Sequence, residues 1–229
     1  MSPVARRIAF LQHSGTDVPG VLGLLATGRG LEVSAHRADR GPTGLPADAS
    51  FDLLVVLGSA ASVADTGVAW IDAERQLVTR AVDRGVPVLG VCFGGQLLAQ
   101  VLGGTVARAS RPEIGWRLLE TADPARVPAG PWLDWHEDAF TCPPGAEALA
   151  STDVCLHAFV AGPHTGVQFH PEVTAGVVHG WIDDARDRDG VADEDVRTLL
   201  SGFDGGRPGS KDQARALFAG FLARSGRPF

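Results

Sequence analysis

The first half of the chain alternates between short apolar runs and longer segments in which apolar residues recur at helical spacing. The apolar runs, which are typical of strands covered on both faces, are 7–11, 51–57 and 86–91, and a further strand is predicted at 31–36. The segments with helical spacing, which predict amphipathic helices, are 18–26, 70–82 and 94–102. Strands that alternate with helices indicate an α/β fold with a mostly parallel sheet and helices on both faces.

The second half of the chain has a different pattern. Short strand candidates separated by turn residues are found at 115–119, 131–135, 147–150, 156–161 and 166–169. They predict a small antiparallel extension of the sheet. Two further helices are predicted at 173–186 and 210–224. Because no repeat or low-complexity linker divides the sequence, we expect residues 1–229 to form a single domain.

Composition and charge narrow the class of protein. Hydrophobic residues make up 45% of the chain, which is enough for a substantial core. The net charge of -7 and the lack of a basic block argue against a nucleic-acid partner. No stretch approaches the ~18 apolar residues of a membrane span, and the apolar run at 8–11 is too short for a signal peptide. We therefore expect a cytoplasmic protein without a membrane partner.

The chain has three cysteines and no CxxC pair, so neither a disulfide framework nor a zinc knuckle is expected. Metal binding in general is not expected either, because no His, Cys and Asp residues have the spacing of metal ligands along the sequence. In a reducing compartment, the remaining question is whether one cysteine is a nucleophile.

Cys92 lies between a predicted strand and a predicted helix, in the sequence Gly-Val-Cys-Phe-Gly-Gly-Gln. A nucleophile elbow has this layout, because its tight turn needs small residues two places before and two places after the nucleophile. Gly90 and Gly94 occupy those places. The turn also puts the sulfur at a helix N-terminus, where the helix dipole favours the reactive thiolate. A lone cysteine is most often a buried structural residue. That is our interpretation of Cys142 and Cys155, whereas the setting of Cys92 predicts a nucleophile.

His170 has the setting expected of a base for that thiol. It follows a short apolar run in Gly-Val-Gln-Phe-His-Pro-Glu, so it emerges at the end of a strand that Pro171 stops. Glu172 is two residues further on, and a carboxylate there can fix the imidazole tautomer and stabilise the imidazolium. The sequence therefore predicts a nucleophile, a base and an orienting carboxylate in Cys92, His170 and Glu172.

These motifs resemble those of the class I, or triad, glutamine amidotransferases. The resemblance rests on Gly-x-Cys-x-Gly-x-Gln at 90–96 and Phe-His-Pro-Glu at 169–172, and it extends from the first strand to about residue 175. It implies a flavodoxin-like α/β fold and a reaction with the side-chain amide of glutamine. The cysteine would attack the amide, ammonia would leave, and water would hydrolyse the glutamyl thioester to glutamate. It implies no cofactor.

The resemblance also implies backbone N–H donors for the tetrahedral intermediate. One is expected from Phe93, the residue after the nucleophile, and the other from Gly58 or Ser59. The loop that holds the second donor is Leu-Gly-Ser-Ala-Ala-Ser-Val, in the place of the family's Gly-Gly-Pro-x-Ser-Val-type loop. It departs from the commoner pattern at Ser59 and Ala60.

Two further positions match substrate-binding features of the family. Gln96 matches a glutamine that helps to hold the substrate. His136, in Trp-His-Glu-Asp, resembles a loop residue beside the substrate, so we expect it near the α-carboxylate or α-amino group. The segment 111–116, Arg-Pro-Glu-Ile-Gly-Trp, is expected to shape the pocket without taking part in the chemistry.

Three functions remain open. The first is the glutaminase subunit of a two-protein amidotransferase that feeds a synthase in trans, since the chain has no Gly-x-x-x-x-Gly-Lys-Ser/Thr loop of its own. The second is a free-standing hydrolase of γ-glutamyl amides or peptides. Its chemistry would be the same, but an amine would leave in place of ammonia. The third is a non-catalytic binding or regulatory module, which the intact Cys92, His170 and Glu172 disfavour. The region 187–209 is an individual elaboration, and the sequence leaves open whether it covers the active site or forms a partner surface.

Overall fold

The computed structural model describes residues 6–48, 50–188, 191–203 and 210–226. The strands are β1 (Arg7–Gln12), β2 (Glu32–Arg37), β3 (Leu53–Val56), β4 (Val88–Val91), β5 (Val106–Arg117), β6 (Glu120–Thr121), β7 (Trp132–Phe140), β8 (Glu147–Ser151), β9 (Leu156–Ala161) and β10 (His164–Val167). The helices are α1 (Gly20–Thr27), α2 (Ala69–Asp83), α3 (Phe93–Val101), α4 (Ala175–Arg188), α5 (Asp193–Ser201) and α6 (Ser210–Arg224).

Eight strands form the main sheet, in the order β2-β1-β3-β4-β10-β9-β8-β6. The five strands from β2 to β10 pair in parallel, and β9, β8 and β6 add antiparallel pairs. The remaining two strands, β5 and β7, pair antiparallel in a separate two-stranded sheet, which we call the ribbon. The carboxyl ends of the parallel strands therefore meet at one edge of the sheet, where α/β proteins usually place their sites.

Helices cover both faces of the main sheet, and β1 shows why its apolar run is continuous. Ile8 and Phe10 pack into the cluster that contains residues of α1 and α6. Ala9 and Leu11 pack into the opposite cluster, which contains residues of α2 and α3. Successive side chains of a strand point to opposite faces, so both sets must be apolar when both faces are covered.

The ribbon is covered by α4 and α5. Leu133 of β7 packs with Val178 and Ile182 of α4 and with Leu199 of α5 in a third apolar cluster. The indole N–H of Trp116, near the end of β5, donates to the carbonyl of Leu199 at 2.9 Å. These contacts fix both helices against the ribbon.

The predicted fold class is confirmed: a mostly parallel sheet with helices on both faces and an antiparallel extension. The predicted strands at 115–119 and 131–135 do not extend the main sheet, because they overlap the longer strands β5 and β7 of the separate ribbon. The charged and glycine-containing segments of β5 and β7 lack a continuous alternation, and β5 also has a register shift between Arg108 and Glu113. The predicted strand at 166–169 overlaps β10, which pairs in parallel with β4 and antiparallel with β9. The helix α5 was not predicted, although it lies within the region 187–209. Across the described ranges, none of the helices combines the length and apolar character needed to cross a bilayer.

Candidate active site

Cys92 occupies a strained turn between β4 and α3. Its backbone has φ 51° and ψ -110°, and no other non-glycine residue in the described part of the chain has a positive φ. The turn leaves no space for side chains on either flank. A Cβ at Gly90 would lie 2.3 Å from the Gly94 carbonyl oxygen, and a Cβ at Gly94 would lie 2.1 Å from that of Val56. The sequence pattern of the elbow is thus explained by close backbone contacts.

The turn brings Cys92 to the first turn of α3, at the wall of a cavity of about 620 Å³. The backbone N–H of Cys92 donates to the Val167 carbonyl at 2.8 Å, which ties the turn to the end of β10. The side chain is 5% exposed, so the sulfur reaches the cavity but not the open surface. Gln168 donates its side-chain N–H to the sulfur at 3.5 Å.

His170 and Glu172 form a buried pair beside Cys92. The Nδ1 atom of His170 lies 2.8 Å from Oε1 of Glu172. Burial alone would lower the pKa of His170. However, the charges of Glu172 and Cys92, and hydrogen bonds to both side chains, raise it well above its usual value. The imidazolium form is therefore favoured next to the thiol.

Three different elements fix the position of this pair. The backbone N–H of His170 donates to the Leu133 carbonyl of the ribbon at 2.9 Å. The backbone carbonyl of Glu172 accepts a 2.8 Å hydrogen bond from Val21 in α1. The indole of Trp181, from α4, packs edge-on against the His170 ring at 4.8 Å between centroids. The pair is thus held by the ribbon and by helices on two sides.

The residues predicted to stabilise an oxyanion lie around the same thiol. Phe93 is the first residue of α3, and a helix leaves the N–H groups of its first turn without internal acceptors. Gly58 and Ser59 line the cavity with Cys92. A Cβ at Gly58 would lie only 2.8 Å from Cε1 of His170, so this loop approaches the base more closely than a larger residue would allow.

His13 is a cavity residue that the sequence interpretation missed. Its Nδ1 atom lies 2.7 Å from the Gly58 carbonyl oxygen, and its Nε2 atom lies 3.0 Å and 3.1 Å from the two Glu74 oxygens. Burial lowers the pKa of His13, but the charge and hydrogen bond of Glu74 raise it above its ordinary value. Two signals pointed to this pair: His13 directly follows β1, and Glu74 interrupts the apolar face of α2.

Gln96 and His136 both line the cavity, but their polar atoms are engaged with the protein. The Gln96 side-chain nitrogen donates to the Asp138 carbonyl at 3.1 Å and to the Gln168 side-chain oxygen at 3.3 Å. The Nδ1 atom of His136 lies 3.0 Å from the Asp138 carbonyl, and Nε2 is directed at Glu113, 3.4 Å away. Thus Gln96 contacts Gln168, which donates to the sulfur of Cys92. The polar atoms of His136 are directed at Asp138 and Glu113.

The cavity wall is acidic. Its carboxylates are Asp17, Asp39, Glu137, Asp138, Asp184 and Asp195. Among the lining residues that the structure describes, Arg108 is the one Arg or Lys, and it pairs with Glu137 and, at 3.8 Å, with Asp138. Because Asp195 belongs to α5, the elaboration at 187–209 contributes to the cavity wall.

A second group of polar side chains comes from residues that are distant in the sequence. No metal-ligand spacing was found in the sequence, yet the fold brings Glu113, His136, Cys155 and His157 together. They come from both ribbon strands and from the main sheet, so a sequence interval cannot reveal them.

Comparisons with known proteins agree on one family. The family model described as glutamine amidotransferase class-I matches residues 26–181. The GMP synthase (glutamine-hydrolyzing) of Thermus thermophilus is 42% identical over 128 residues, which cover 52% of this chain and 24% of that protein. The enzyme of the same name from Nostoc sp. is 44% identical over 102 residues, or 41% of this chain and 19% of that protein. The aligned regions thus span a quarter or less of these relatives.

A solved structure extends the similarity to nearly the whole chain. The glutamine amido transferase from Methylobacillus flagellatus superposes with a TM-score of 0.84 at 26% identity, over 96% of both chains.

Proposed function

We propose, because this chain belongs to the class-I glutamine amidotransferase family, that it hydrolyses the side-chain amide of glutamine through a glutamyl thioester on Cys92. The observation that carries the proposal is the order of three side chains at the cavity. His170 lies between the Cys92 thiol and the Glu172 carboxylate, with Nδ1 2.8 Å from Glu172. We call these three residues the catalytic group.

The first half of the reaction forms the thioester. The Cys92 thiolate attacks the amide carbon, and the carbonyl becomes a tetrahedral oxyanion. The His170 imidazolium gives its proton to the leaving nitrogen, so ammonia departs and the C–S bond remains. Glu172 stabilises the imidazolium and holds its tautomer.

The second half regenerates the thiol. Neutral His170 takes a proton from water as the water attacks the thioester carbon. The tetrahedral intermediate then collapses, the C–S bond breaks, and glutamate leaves. No step needs a redox partner, because water supplies both the oxygen and the protons of the products.

We assign the oxyanion donors to the N–H groups of Phe93 and Ser59. The carbonyl of Gly58 and the N–H of Ser59 belong to one trans peptide, so they point in opposite directions. His13 holds that carbonyl at 2.7 Å and is itself held by Glu74. The pair therefore fixes the orientation of the Ser59 N–H, and we assign His13 and Glu74 as positioning residues.

The ammonia acceptor is proposed to be the substrate of a separate synthase. The support is the similarity to the glutamine-hydrolyzing GMP synthases. The aligned regions cover a quarter or less of those proteins, so most of their length lies outside the similarity. We also propose that the chain acts as one domain, because the ribbon and the main sheet both line the cavity.

A free-standing γ-glutamyl amine hydrolase is the second candidate, and the acidic wall favours it. Arg108 pairs with two of the six carboxylates and Arg37 pairs with Asp39, so the wall keeps a net negative charge. That charge suits a substrate with positive charge beyond the α-ammonium of the glutamyl group, such as a conjugate of a diamine. A non-catalytic module is not favoured, because the catalytic group is complete and family membership is shown.

The two candidates differ in what the purified chain does alone. The experiment measures glutamate release from glutamine and from γ-glutamyl amines with neutral or cationic leaving groups. Slow release from glutamine with inert amines supports the synthase subunit. Fast release from a cationic γ-glutamyl amine supports the free-standing hydrolase. Complete inactivity towards all substrates, together with no labelling of Cys92 by a diazo-ketone glutamine analogue, would contradict both.

A further inference from the structure

A group of metal-binding side chains lies at the junction of the ribbon and the main sheet. Glu113 is on β5, His136 is on β7, Cys155 directly precedes β9 and His157 is on β9. Each offers one ligand atom, and the four atoms lie within 4.8 Å of one another. Three of the residues are buried, and Cys155 is half-buried, so the group can be reached from the surface. We call these four residues the ribbon cluster.

We propose that the ribbon cluster binds a divalent cation of the zinc class in a tetrahedral site. Oε2 of Glu113 lies 2.9 Å from Nε2 of His157, 3.4 Å from Nε2 of His136 and 3.5 Å from Sγ of Cys155. Tetrahedral zinc with ordinary bond lengths separates O and N ligands by about 3.4 Å, and O and S ligands by about 3.6 Å. Two separations match these values, and the third needs to widen by about half an ångström.

Both Nε2 atoms face the ribbon cluster, and an oxygen atom lies behind each imidazole, within hydrogen-bond distance for His136 and slightly beyond it for His157. Nδ1 of His136 lies 3.0 Å from the Asp138 carbonyl, and a carbonyl only accepts, so Nδ1 carries the proton. Nδ1 of His157 lies 3.5 Å from Oδ1 of the fully buried Asp134. A carbonyl or carboxylate behind each ligating histidine is the usual surrounding of a zinc site, because it fixes the tautomer and the ring orientation.

The Nε2 atom of His136 faces the carboxylate of Glu113. This atom is buried, has no hydrogen-bond partner, and lies 3.4 Å from the Glu113 carboxylate. A metal cation between a neutral imidazole nitrogen and a carboxylate oxygen attracts both atoms, and it would give the buried Nε2 atom a partner. Arg117 already lies 3.3 Å from the other oxygen of Glu113, and a divalent cation would add the charge that balances the Cys155 thiolate.

The cation would have a structural role. Four protein ligands leave no open position for a reacting water molecule. Two ligands come from the ribbon, and two come from the main sheet or the turn before it, so the ion would join the two sheets. His136 also lines the cavity, so the ion would fix part of its wall without touching the reacting atoms.

The test uses the full chain carrying Cys92→Ser, because this removes the other thiol that lies beside a histidine. Loaded with Co²⁺, the protein should retain one cobalt per chain, with a thiolate-to-cobalt charge-transfer band and intense tetrahedral d–d bands. Adding Cys155→Ser should abolish the charge-transfer band, whereas adding Cys142→Ser should leave it unchanged. Failure to retain cobalt, or a band that persists in the Cys155→Ser protein, would overturn the proposal.

A second readout does not depend on the Cys155→Ser protein being folded. In the Cys92→Ser protein, Zn²⁺ at a hundredfold excess over its Kd should raise Tm by about 5–10 °C. His157→Gln keeps a polar side chain of similar size but replaces a strong zinc ligand, so it should show a much smaller rise. A Tm that Zn²⁺ leaves unchanged in the parent protein contradicts the proposed site.

Discussion

The catalytic group and the ribbon cluster contain the same three residue types in a different order. In the catalytic group, an imidazole lies between the thiol and the carboxylate. In the ribbon cluster, the Glu113 carboxylate lies between the thiol of Cys155 and two imidazoles. The fold thus uses Cys, His and Glu side chains twice, for arrangements with opposite consequences.

The difference is visible in the electrostatics of each thiol. Burial raises the pKa of the Cys155 thiol, and the charge and hydrogen bond of Glu113 raise it further. Beside Cys92, the raised pKa of His170 keeps a positive charge available next to the sulfur. Cys155 therefore stays protonated unless a cation replaces its proton, whereas the sulfur of Cys92 lies beside a positively charged imidazole. The order of the groups decides the reactivity, and the residue types alone do not.

Removing the catalytic thiol should have the largest effect. Cys92→Ala should reduce kcat for amide hydrolysis by about 10⁵-fold or more, because no thioester can form. Steady-state glutamate release by the purified variant measures this loss. Cys142→Ala, a cysteine outside both groups, is the matched control and should remain within about twofold of the parent. Substantial turnover by Cys92→Ala would remove the catalytic group from the mechanism.

Removing the base should have the next largest effect. His170→Ala should lower kcat by about 10³–10⁴-fold, since proton transfer to ammonia and from water is lost. His36→Ala, on β2, serves as the control and should leave kcat unchanged. Labelling by the diazo-ketone analogue should also slow in His170→Ala; rapid labelling of Cys155 in any variant would show that the reactive thiol had been chosen wrongly.

Replacing the orienting carboxylate should alter the pH profile as well as the rate. The negative charge of Glu172 raises the pKa of His170, so Glu172→Gln should lower that pKa. The alkaline limb of kcat/KM reports loss of the imidazolium proton, and it should therefore move to lower pH. The rate at the optimum should fall by about 10²–10³-fold. Asp183→Asn, an exposed carboxylate on α4, is the control; an identical pH profile for Glu172→Gln and the parent would contradict the assigned role.

The positioning pair should give the smallest effect. Glu74→Gln removes the charge that holds His13, and the Gly58–Ser59 peptide then loses a fixed orientation. We expect kcat to fall by about tenfold with little change in KM, because the oxyanion is bound only in the transition state. Asp72→Asn, on the exposed side of α2, provides the comparison. A change in KM alone would indicate that the pair supports substrate binding instead.

The parts of the site that the sequence predicted are those with local signals. Cys92 is marked by flanking glycines and by a strand followed by a helix, all within a few residues. His170 and Glu172 are only two residues apart in the chain and in contact in space. These motifs are visible in the sequence because the backbone geometry of the site requires particular residues at neighbouring positions. The roles of nucleophile, base and orienting carboxylate were predicted from these local settings, and the resemblance added the substrate.

The parts that the sequence did not predict depend on contacts between distant segments. His13 and Glu74 are far apart in the chain and meet only because α2 packs beside the end of β1. The ribbon cluster needs both ribbon strands and β9 to be in place. The helix α5 was missed because its apolar residues are few, although the acidic residues in its first turn are a helix-start signal. The buried face of α5 can be recognised only once the ribbon is in place, because Leu199 packs against it.

The positive φ of Cys92 makes the nucleophile a position where stability and activity oppose each other. A non-glycine residue in this region of backbone space costs about 1–3 kcal/mol, which the surrounding packing must supply. Glycine would adopt the same turn without strain. It would also make the unfolded chain more flexible, and this entropy offsets part of the stability gained from the relief of strain. Cys92→Gly should therefore relieve the strain, at the loss of a side chain that packs in the core cluster, and it should abolish the chemistry. The chain retains a less stable turn because that turn presents sulfur to the cavity, so efforts to raise the thermal stability of this protein should leave the elbow unchanged.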